Sequence, residues 1–303
     1  MKAPKGTVVD RLAGAPISWG VCEVPGWGVM LPPERVLFEM AGLGLKASEL
    51  GALGYLGDEP EQIEALLSRY SLGAVGGFVP LVLHEPAARD RAEQDAERAA
   101  RLLHGAGGTY FVTAVVVDDE WSRPFELDAH QWDDLVSGLD TVERVCARHG
   151  LIQVLHPHIG TLVERAEQVQ QVIERSTVRW CLDTGHLSIG GVDPVSFAAE
   201  HADRVGLVHL KDVDLSLAPD VLEHKMSLLD GTRAGLFRAL GRGEVDVAAI
   251  VAALEASGYS GWYVLEQDTA IAAEATGSVN PAADVRVSID YLNEVAASMG
   301  AMS

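Results

Sequence analysis

The chain has 303 residues, of which 48% are hydrophobic and 22% charged. It can therefore bury a large core, which excludes global disorder. Its 23 basic and 44 acidic residues give a net charge of −21. An acidic surface of that size repels phosphate backbones and anionic lipids, which argues against nucleic acid and membrane surfaces as partners.

Short apolar runs alternate along the chain with amphipathic stretches. Some runs are continuous, such as FVTAVVV at 111–117, and a continuous apolar run is typical of a strand buried on both faces of a parallel sheet. We predict eight strands, at 15–19, 47–50, 74–79, 110–117, 152–156, 179–183, 205–210 and 262–266.

Helices are predicted between these strands. Asp193 and Asp246 are typical N-cap residues at the start of two of them. The longest irregular stretch, 212–243, follows the seventh strand and is typical of a functional loop. The main predicted helices cover 90–104, 128–149, 161–175, 193–201, 246–256 and 284–297.

Eight strands alternating with helices indicate either a closed barrel or a doubly wound open sheet. No Gly-x-Gly-x-x-Gly follows the first strand, and no Walker-type phosphate loop is present, which argues against a nucleotide-binding open sheet. We predict an α/β fold, a single (β/α)8 TIM barrel that spans residues 1–303, since such a barrel needs about 250 residues plus insertions.

The cysteines Cys22, Cys146 and Cys181 form no close metal-binding pair and no disulfide framework. The first 20 residues lack the apolar stretch of a signal peptide, and no apolar run approaches the ~20 residues that span a bilayer. We therefore expect a reducing, cytoplasmic compartment. The sequence leaves open whether the chain forms a homo-oligomer.

In a barrel the active site lies at the C-terminal ends of the strands. Five of the ten histidines lie at or just past predicted strand ends, together with acidic residues and a lysine. Side chains at i and i+2 share one face of a strand, so several of these residues can point inward in pairs. The pairs are His156 with His158, His209 with Lys211, and Glu266 with Asp268.

Two imidazoles and two carboxylates at four consecutive strand ends can converge on one cation, and such a set suits Mn, Fe, Co or Zn better than Ca or Mg. Glu266 follows the apolar run YVL, where a carboxylate without a partner is costly. We predict a metal site formed by His156, Asp183, His209 and Glu266.

Trp19 ends the first predicted strand, and Trp27 lies in the segment that follows it. They are either core residues or an apolar wall of a sugar or polyol pocket. We assign both, together with His84 after the third strand, to substrate binding.

Four motifs lie at the ends of predicted strands five to eight: HPHIGT at 156–161, CLDTGHLSIGG at 181–191, VHLKDVD at 208–214 and VLEQD at 264–268. Together they resemble the motifs of the xylose isomerase-like TIM barrels, a superfamily that includes sugar epimerases, inositol-catabolic enzymes and endonuclease IV. The segments APISWGVCEVPGWG and ASELGALGYL look like the inosose dehydratase branch. The resemblance covers nearly the whole chain.

The resemblance implies one divalent metal held by Glu, Asp, His and Glu from strands five to eight. Asp183, His209 and Glu266 match that pattern, but His156 stands where Glu is expected. This difference removes a carboxylate that epimerases of the group use as an acid/base group. Either His156 or His158 is then the strand-five ligand, and the resemblance also implies that His186 contacts substrate.

The expected activity is that of a metal-dependent lyase that dehydrates a keto-cyclitol, 2-keto-myo-inositol, with Mn or Co as the metal and Zn, Fe or Mg as alternatives. The reaction needs a cation at the ketone, a base for the α proton and an acid for the leaving hydroxyl. Lys211 is the first candidate for proton transfer or oxyanion stabilisation, because desolvation near a metal lowers the pKa of a lysine. His158 and His186 are alternatives for the acid, and Glu49 for substrate binding or as base.

Three other functions compete with this one. A sugar or inosose epimerase would use the same metal without loss of water. An endonuclease IV-like enzyme needs a basic DNA-binding face, which a net charge of −21 opposes. A non-catalytic sugar-binding barrel would not need the titratable set around a metal. The expected partner is a small polyol or keto-sugar.

Overall fold

The computed structural model describes residues 2–273 and 279–302. The strands are β1 (Leu12–Gly14), β2 (Ala47–Ser48), β3 (Gly73–Ala74), β4 (Gly76–Leu81), β5 (Tyr110–Val115), β6 (Ile152–Leu155), β7 (Arg179–Asp183), β8 (Val205–Leu210), β9 (Asp212–Val213), β10 (Phe237–Arg238) and β11 (Tyr263–Leu265). The helices are α1 (Pro33–Gly42), α2 (Pro60–Arg69), α3 (Arg89–Gly105), α4 (Ala129–Arg148), α5 (Ala166–Arg175), α6 (Thr184–Ile189), α7 (Pro194–Glu200), α8 (Ala218–Leu222), α9 (Leu228–Ala234), α10 (Val247–Ala256) and α11 (Pro281–Met302). None of these helices combines the length and the hydropathy that a bilayer span requires.

Nine of the described strands form one sheet in the order β3-β2-β1-β11-β8-β7-β6-β5-β4. Its two end strands, β3 and β4, are separated only by Val75. The N–H of Val75 donates to the carbonyl of Ser48 at 2.9 Å, and its carbonyl accepts from the N–H of Thr109 at 2.8 Å. Val75 thus joins the two edges, and the sheet closes into a barrel of eight positions. The predicted (β/α)8 fold is confirmed.

The strand alternation decides which side chains enter the barrel. Cys181 on β7 lies in the apolar cluster inside the barrel, whereas the ring of the preceding residue, Trp180, packs outward on Phe197 of α7 at 5.5 Å. The same alternation continues to the strand end, where Asp183 is in register with His209 of β8. The C-terminal mouth of the barrel therefore receives polar side chains above an apolar interior.

The predicted helix starts at Asp193 and Asp246 are confirmed. The Asp193 carboxylate accepts from the backbone N–H of Val195 at 3.1 Å, and the Asp246 carboxylate accepts from that of Ala249 at 2.9 Å. Each aspartate therefore satisfies N–H groups that have no partner within the helix.

The first predicted strand was wrong. The strand is Leu12–Gly14, and Pro16–Trp19 forms a 3-10 helix instead. Proline lacks the N–H that a ladder needs and is suited to the first position of a helix. The apolar run there is explained by burial of this turn, not by a strand.

Two further predictions needed correction. The helix expected over 161–175 begins only at Ala166, because the Gln168 side chain accepts from the N–H of Glu164 and of Arg165, both at 2.9 Å, and so starts the helix later. The stretch 212–243 is not irregular. It contains α8, α9 and an antiparallel pairing of β9 with β10.

Candidate metal centre

Four side chains from neighbouring barrel positions converge at the C-terminal mouth. One ligand atom of each lies within 4.8 Å of those of the other three. Two of the four lie on β7 and β8, and the other two directly follow β6 and β11. These four strands are adjacent in the sheet, so their carboxyl ends meet at one place. The four residues, called the four-donor cluster below, are His156, Asp183, His209 and Glu266.

The distances within the four-donor cluster fit a bound cation. His156 Nε2 lies 3.1 Å from His209 Nδ1 and 3.4 Å from Asp183 Oδ2, and His209 Nδ1 lies 2.6 Å from Glu266 Oε2. Within the described part of the chain, Asp183 Oδ2 accepts no hydrogen bond. Burying nitrogen and oxygen lone pairs without a partner destabilises the folded state, unless these atoms share a bound cation. Imidazole nitrogens with carboxylate oxygens suit a first-row transition metal.

Glu49 supports the cluster from outside. Its Oε1 lies 3.1 Å from His209 Nε2, and Glu49 is only 4% exposed. A carboxylate on the outer nitrogen of a histidine fixes the tautomer and directs the other nitrogen at the metal. The sequence predicts Glu49 as a substrate ligand or a base; the structure places it on the cavity wall with this hydrogen bond to His209.

The surroundings of Lys211 differ from those that the sequence predicts. It is fully buried, and among the described residues it is not one that lines the cavity. Its Nζ lies 2.7 Å from Asp268 Oδ1, 2.9 Å from Glu266 Oε1 and 3.0 Å from His186 Nε2. Burial opposes the charged form, but Asp183, Asp268 and Glu266 outweigh it and raise the pKa of Lys211 well above its usual value. The sequence predicts a lowered pKa for a lysine beside a metal, whereas the three carboxylates around this ammonium act in the opposite direction.

A cavity of about 400 Å³ lies over the cluster, a size that suits one small molecule. Much of its surface is apolar, and its polar groups are mostly titratable. The apolar lining includes Ile17, Val21, Trp27, Phe78, Trp121, Met226 and Leu228, and the titratable lining includes Glu23, Glu49, His156, His158, His209, Glu266 and Asp268.

Aromatic rings form one wall of the cavity. Phe78 and Trp121 stack with their centroids 6.2 Å apart, and Trp121 meets the ring of His158 at 5.8 Å. Trp121 has a φ of 58° and His224, also in the cavity lining, a φ of 55°. A left-handed backbone at bulky residues is strained, and such strain is concentrated at ligand sites.

The tryptophans behave differently from each other. Trp27 lines the cavity, and its Nε1 donates to the carbonyl of Thr269 at 2.9 Å. Trp19 instead lies in the hydrophobic core, and its Nε1 donates to Glu39 Oε2 of α1 at 2.7 Å. The 3-10 helix that replaces the predicted strand turns Trp19 onto α1, so its assignment to substrate binding is corrected.

Among the described residues that line the cavity, neither His84 nor His186 is included. The ring of His84 packs against Phe125 at 5.6 Å, because the chain has already left the barrel mouth three residues after β4. His186 lies in the first turn of α6, behind His158, with the two ring centroids 4.0 Å apart. The structure corrects the expectation that either ring contacts substrate.

His158 remains on the cavity wall. Its Nδ1 lies 2.7 Å from the carbonyl of Ile159, so Nδ1 carries the proton and Nε2 is the acceptor atom of the ring. Burial, and then the neighbouring His156 and Lys211, lower the pKa of His158 to about 3. His158 is therefore neutral at neutral pH.

Glu23 was missed from the sequence. It lies on the cavity wall in the loop VCEVPGW, and this loop is fastened by the hydrogen bond from the N–H of Val29 to the carbonyl of Ile271 at 2.9 Å. Burial, together with the charges of Glu266 and Asp268, raises the pKa of Glu23 to about 7. The available signal was one carboxylate among apolar residues in a loop after the first strand.

Comparison with known proteins gives a consistent result. Residues 38–295 match the family described as Xylose isomerase-like TIM barrel. The chain is 32% identical to an inosose dehydratase of Geobacillus kaustophilus over 279 residues, which is 86% of this chain and 89% of that protein.

Two solved structures show the same fold. A D-allulose 3-epimerase from Methylomonas sp. superposes with a TM-score of 0.69 at 15% identity and covers 97% of this chain and 100% of its own. The IOLI protein, solved with a bound zinc atom, superposes with a TM-score of 0.70 at 14% identity and covers 95% and 98%.

Proposed function

Because the chain belongs to the xylose isomerase-like TIM barrel family, we propose that it is a metal-dependent lyase that dehydrates a keto-cyclitol, 2-keto-myo-inositol. The observation that carries the proposal is the convergence of two imidazoles and two carboxylates within 4.8 Å beneath a cavity of about 400 Å³. The similarity to an inosose dehydratase supports the choice of reaction.

The four-donor cluster would hold the metal, with His156 as the strand-five ligand. When bound there, a divalent cation would supply polarisation of a ketone and would offset negative charge that develops beside it. We propose Mn or Co as the metal, with Zn, Fe or Mg as alternatives. Glu49 acts on this centre through His209, which it orients and makes a stronger donor.

Proton transfer is assigned to Glu23. Its pKa of about 7 matches what a group needs to accept a proton and give it up again near neutral pH. As a carboxylate it takes the α proton, and the acid formed then returns a proton to the β hydroxyl, which leaves as water. The acceptor Nε2 of neutral His158 is suited to hold a substrate hydroxyl.

The aromatic side chains Trp27, Phe78 and Trp121 would cover the apolar faces of the ring and exclude water. We propose a small polyol or keto-sugar as the substrate, with neither nucleic acid nor a membrane as a partner, and leave a homo-oligomer open. The free, buried thiols of Cys22, Cys146 and Cys181 support a reducing, cytoplasmic location.

The test is to strip the protein with a chelator, reload it with Mn or Co, and follow 2-keto-myo-inositol by the absorbance of the conjugated dehydration product. We expect no activity in the stripped protein and recovery on reloading. Asp183→Asn should abolish turnover, whereas Asp133→Asn, at a carboxylate that is 74% exposed, should not change it.

Two outcomes would contradict the proposal. Full activity in the stripped protein would remove the metal from the reaction. Conversion of the inosose without the absorbance change would show an epimerase or isomerase in place of a lyase.

A further inference from the structure

We propose that the ammonium of Lys211 occupies a second cation position next to the four-donor cluster, so that the chain binds one divalent metal where its donors would otherwise hold two. This inference rests on the metal centre of the proposed function. It goes beyond that function because it identifies Lys211 as the side chain that limits the number of bound metal ions.

A second set of donor atoms lies beside the first. One ligand atom each of His158, His186 and Asp268 lies within 4.8 Å of the other two. The rings of His158 and His186 are 4.0 Å apart, and His186 Nε2 lies 4.0 Å from Asp268 Oδ2. Two imidazoles and a carboxylate have the chemistry of a transition-metal site in their own right.

The ammonium of Lys211 lies between the two sets. On one side it contacts Glu266 Oε1 at 2.9 Å and approaches Asp183 Oδ2 to 3.5 Å. On the other side it contacts Asp268 Oδ1 at 2.7 Å and His186 Nε2 at 3.0 Å. The three short contacts use all three N–H donors of an ammonium group. A charge in this position interacts with both donor sets, as a second metal ion would.

The fold leaves space for this side chain and fixes its head. Lys211 follows His209 by two residues and so enters the same interior. A Cβ at position 185 would lie 2.7 Å from Lys211 Cβ and 3.3 Å from Lys211 Cδ, so Gly185 leaves the space that the lysine side chain occupies. Beyond the head, the ring of Phe237 lies 5.3 Å from Nζ, a distance at which a cation is attracted to an aromatic face.

The charges of the surrounding carboxylates explain why a second metal ion should bind when the ammonium of Lys211 is removed. Asp183, Glu266 and Asp268 carry three negative charges around Nζ, all with little exposure to solvent. One divalent metal and one ammonium offset these three charges. Loss of the ammonium leaves buried carboxylates without a partner, which is strongly unfavourable. A second divalent cation offsets that charge and finds nitrogen donors already in place.

The test is metal stoichiometry, measured by titrating chelator-stripped protein with Mn²⁺ and by analysing metal content after desalting. We expect one ion per chain in the unmodified protein and two in Lys211→Ala. The matched control is Lys46→Ala, at an exposed lysine before β2, which should bind one. Adding Asp268→Asn to Lys211→Ala should return the count to one.

Circular dichroism checks that each variant is folded, and Lys211→Ser serves if Lys211→Ala is not. One ion or none in a folded Lys211 variant overturns the inference, as do two ions in the unmodified protein. No ion in the unmodified protein would instead refute the metal centre of the proposed function. The count does not depend on any substrate, so the two failures are distinguishable.

Discussion

The carboxylate of Glu49 lies 3.1 Å from Nε2 of His209, on the edge of the imidazole away from the four-donor cluster. Nδ1 of the same ring lies 2.6 Å from Glu266 and 3.1 Å from His156. Each nitrogen of His209 therefore has a separate role, since one is anchored by Glu49 and the other faces the cluster.

This arrangement predicts the effect of Glu49→Ala. Without the carboxylate the His209 ring loses its orientation and some of its basicity, so metal affinity should fall roughly 10–100-fold. The measurement is a Mn²⁺ titration of stripped protein, with Glu64→Ala, at an exposed position on α2, as the control. Equal affinities in the two variants would show that Glu49 does not support the metal site.

A second prediction concerns the pH dependence set by Glu23. Burial and the nearby Glu266 and Asp268 raise its pKa to about 7, and the base is the deprotonated form. Activity should therefore rise as pH increases through about 7 and level off above it. Glu23→Gln should lower kcat roughly 10²–10⁴-fold and remove that step. A pH step that persists in the variant would have to come from another group, such as Asp268, whose pKa is raised to about 6.

The aromatic wall predicts a different kinetic signature. Trp121→Ala removes a ring that would cover one face of the substrate, so KM should rise about tenfold, equivalent to about 1.4 kcal/mol, with little change in kcat. The control is Phe125→Ala, on the same loop but packed on His84 and not on this cavity. A large fall in kcat with constant KM would place Trp121 in the chemical step instead.

A fourth prediction tests the opposite end of the barrel. Arg11 is nearly buried, forms an ion pair with Glu255 at 2.5 Å and donates to the carbonyl of Tyr259 at 3.0 Å. Arg11→Met removes both the ion pair with Glu255 and the hydrogen bond to Tyr259. The free energy of unfolding in urea should therefore fall by about 3 kcal/mol. The exposed pair of Arg98 with Asp95 provides the control, and Arg98→Met should cost under about 1 kcal/mol. Similar costs for the two variants would contradict this ranking.

Much of the fold was predictable because a barrel strand leaves a local pattern. The strands Arg179–Asp183 and Val205–Leu210 were predicted with the bounds that the structure gives. The first strand was not, since an apolar run such as that before Trp19 is equally compatible with a buried 3-10 helix. Hydrophobicity reports burial, and only hydrogen bonding separates these two conformations.

The sequence by itself determined the barrel and the convergence of Asp183, His209 and Glu266, because parallel strand ends meet at one mouth and alternation directs their side chains inward. Only the tertiary structure places Asp183, Glu266 and Asp268 around Lys211, where their charges raise its pKa instead of lowering it. It also decided that Glu49, 160 residues from His209 in sequence, is that ring's partner. Local periodicity sets the direction of a side chain, whereas its protonation and its contacts depend on distances to groups that only barrel closure brings near.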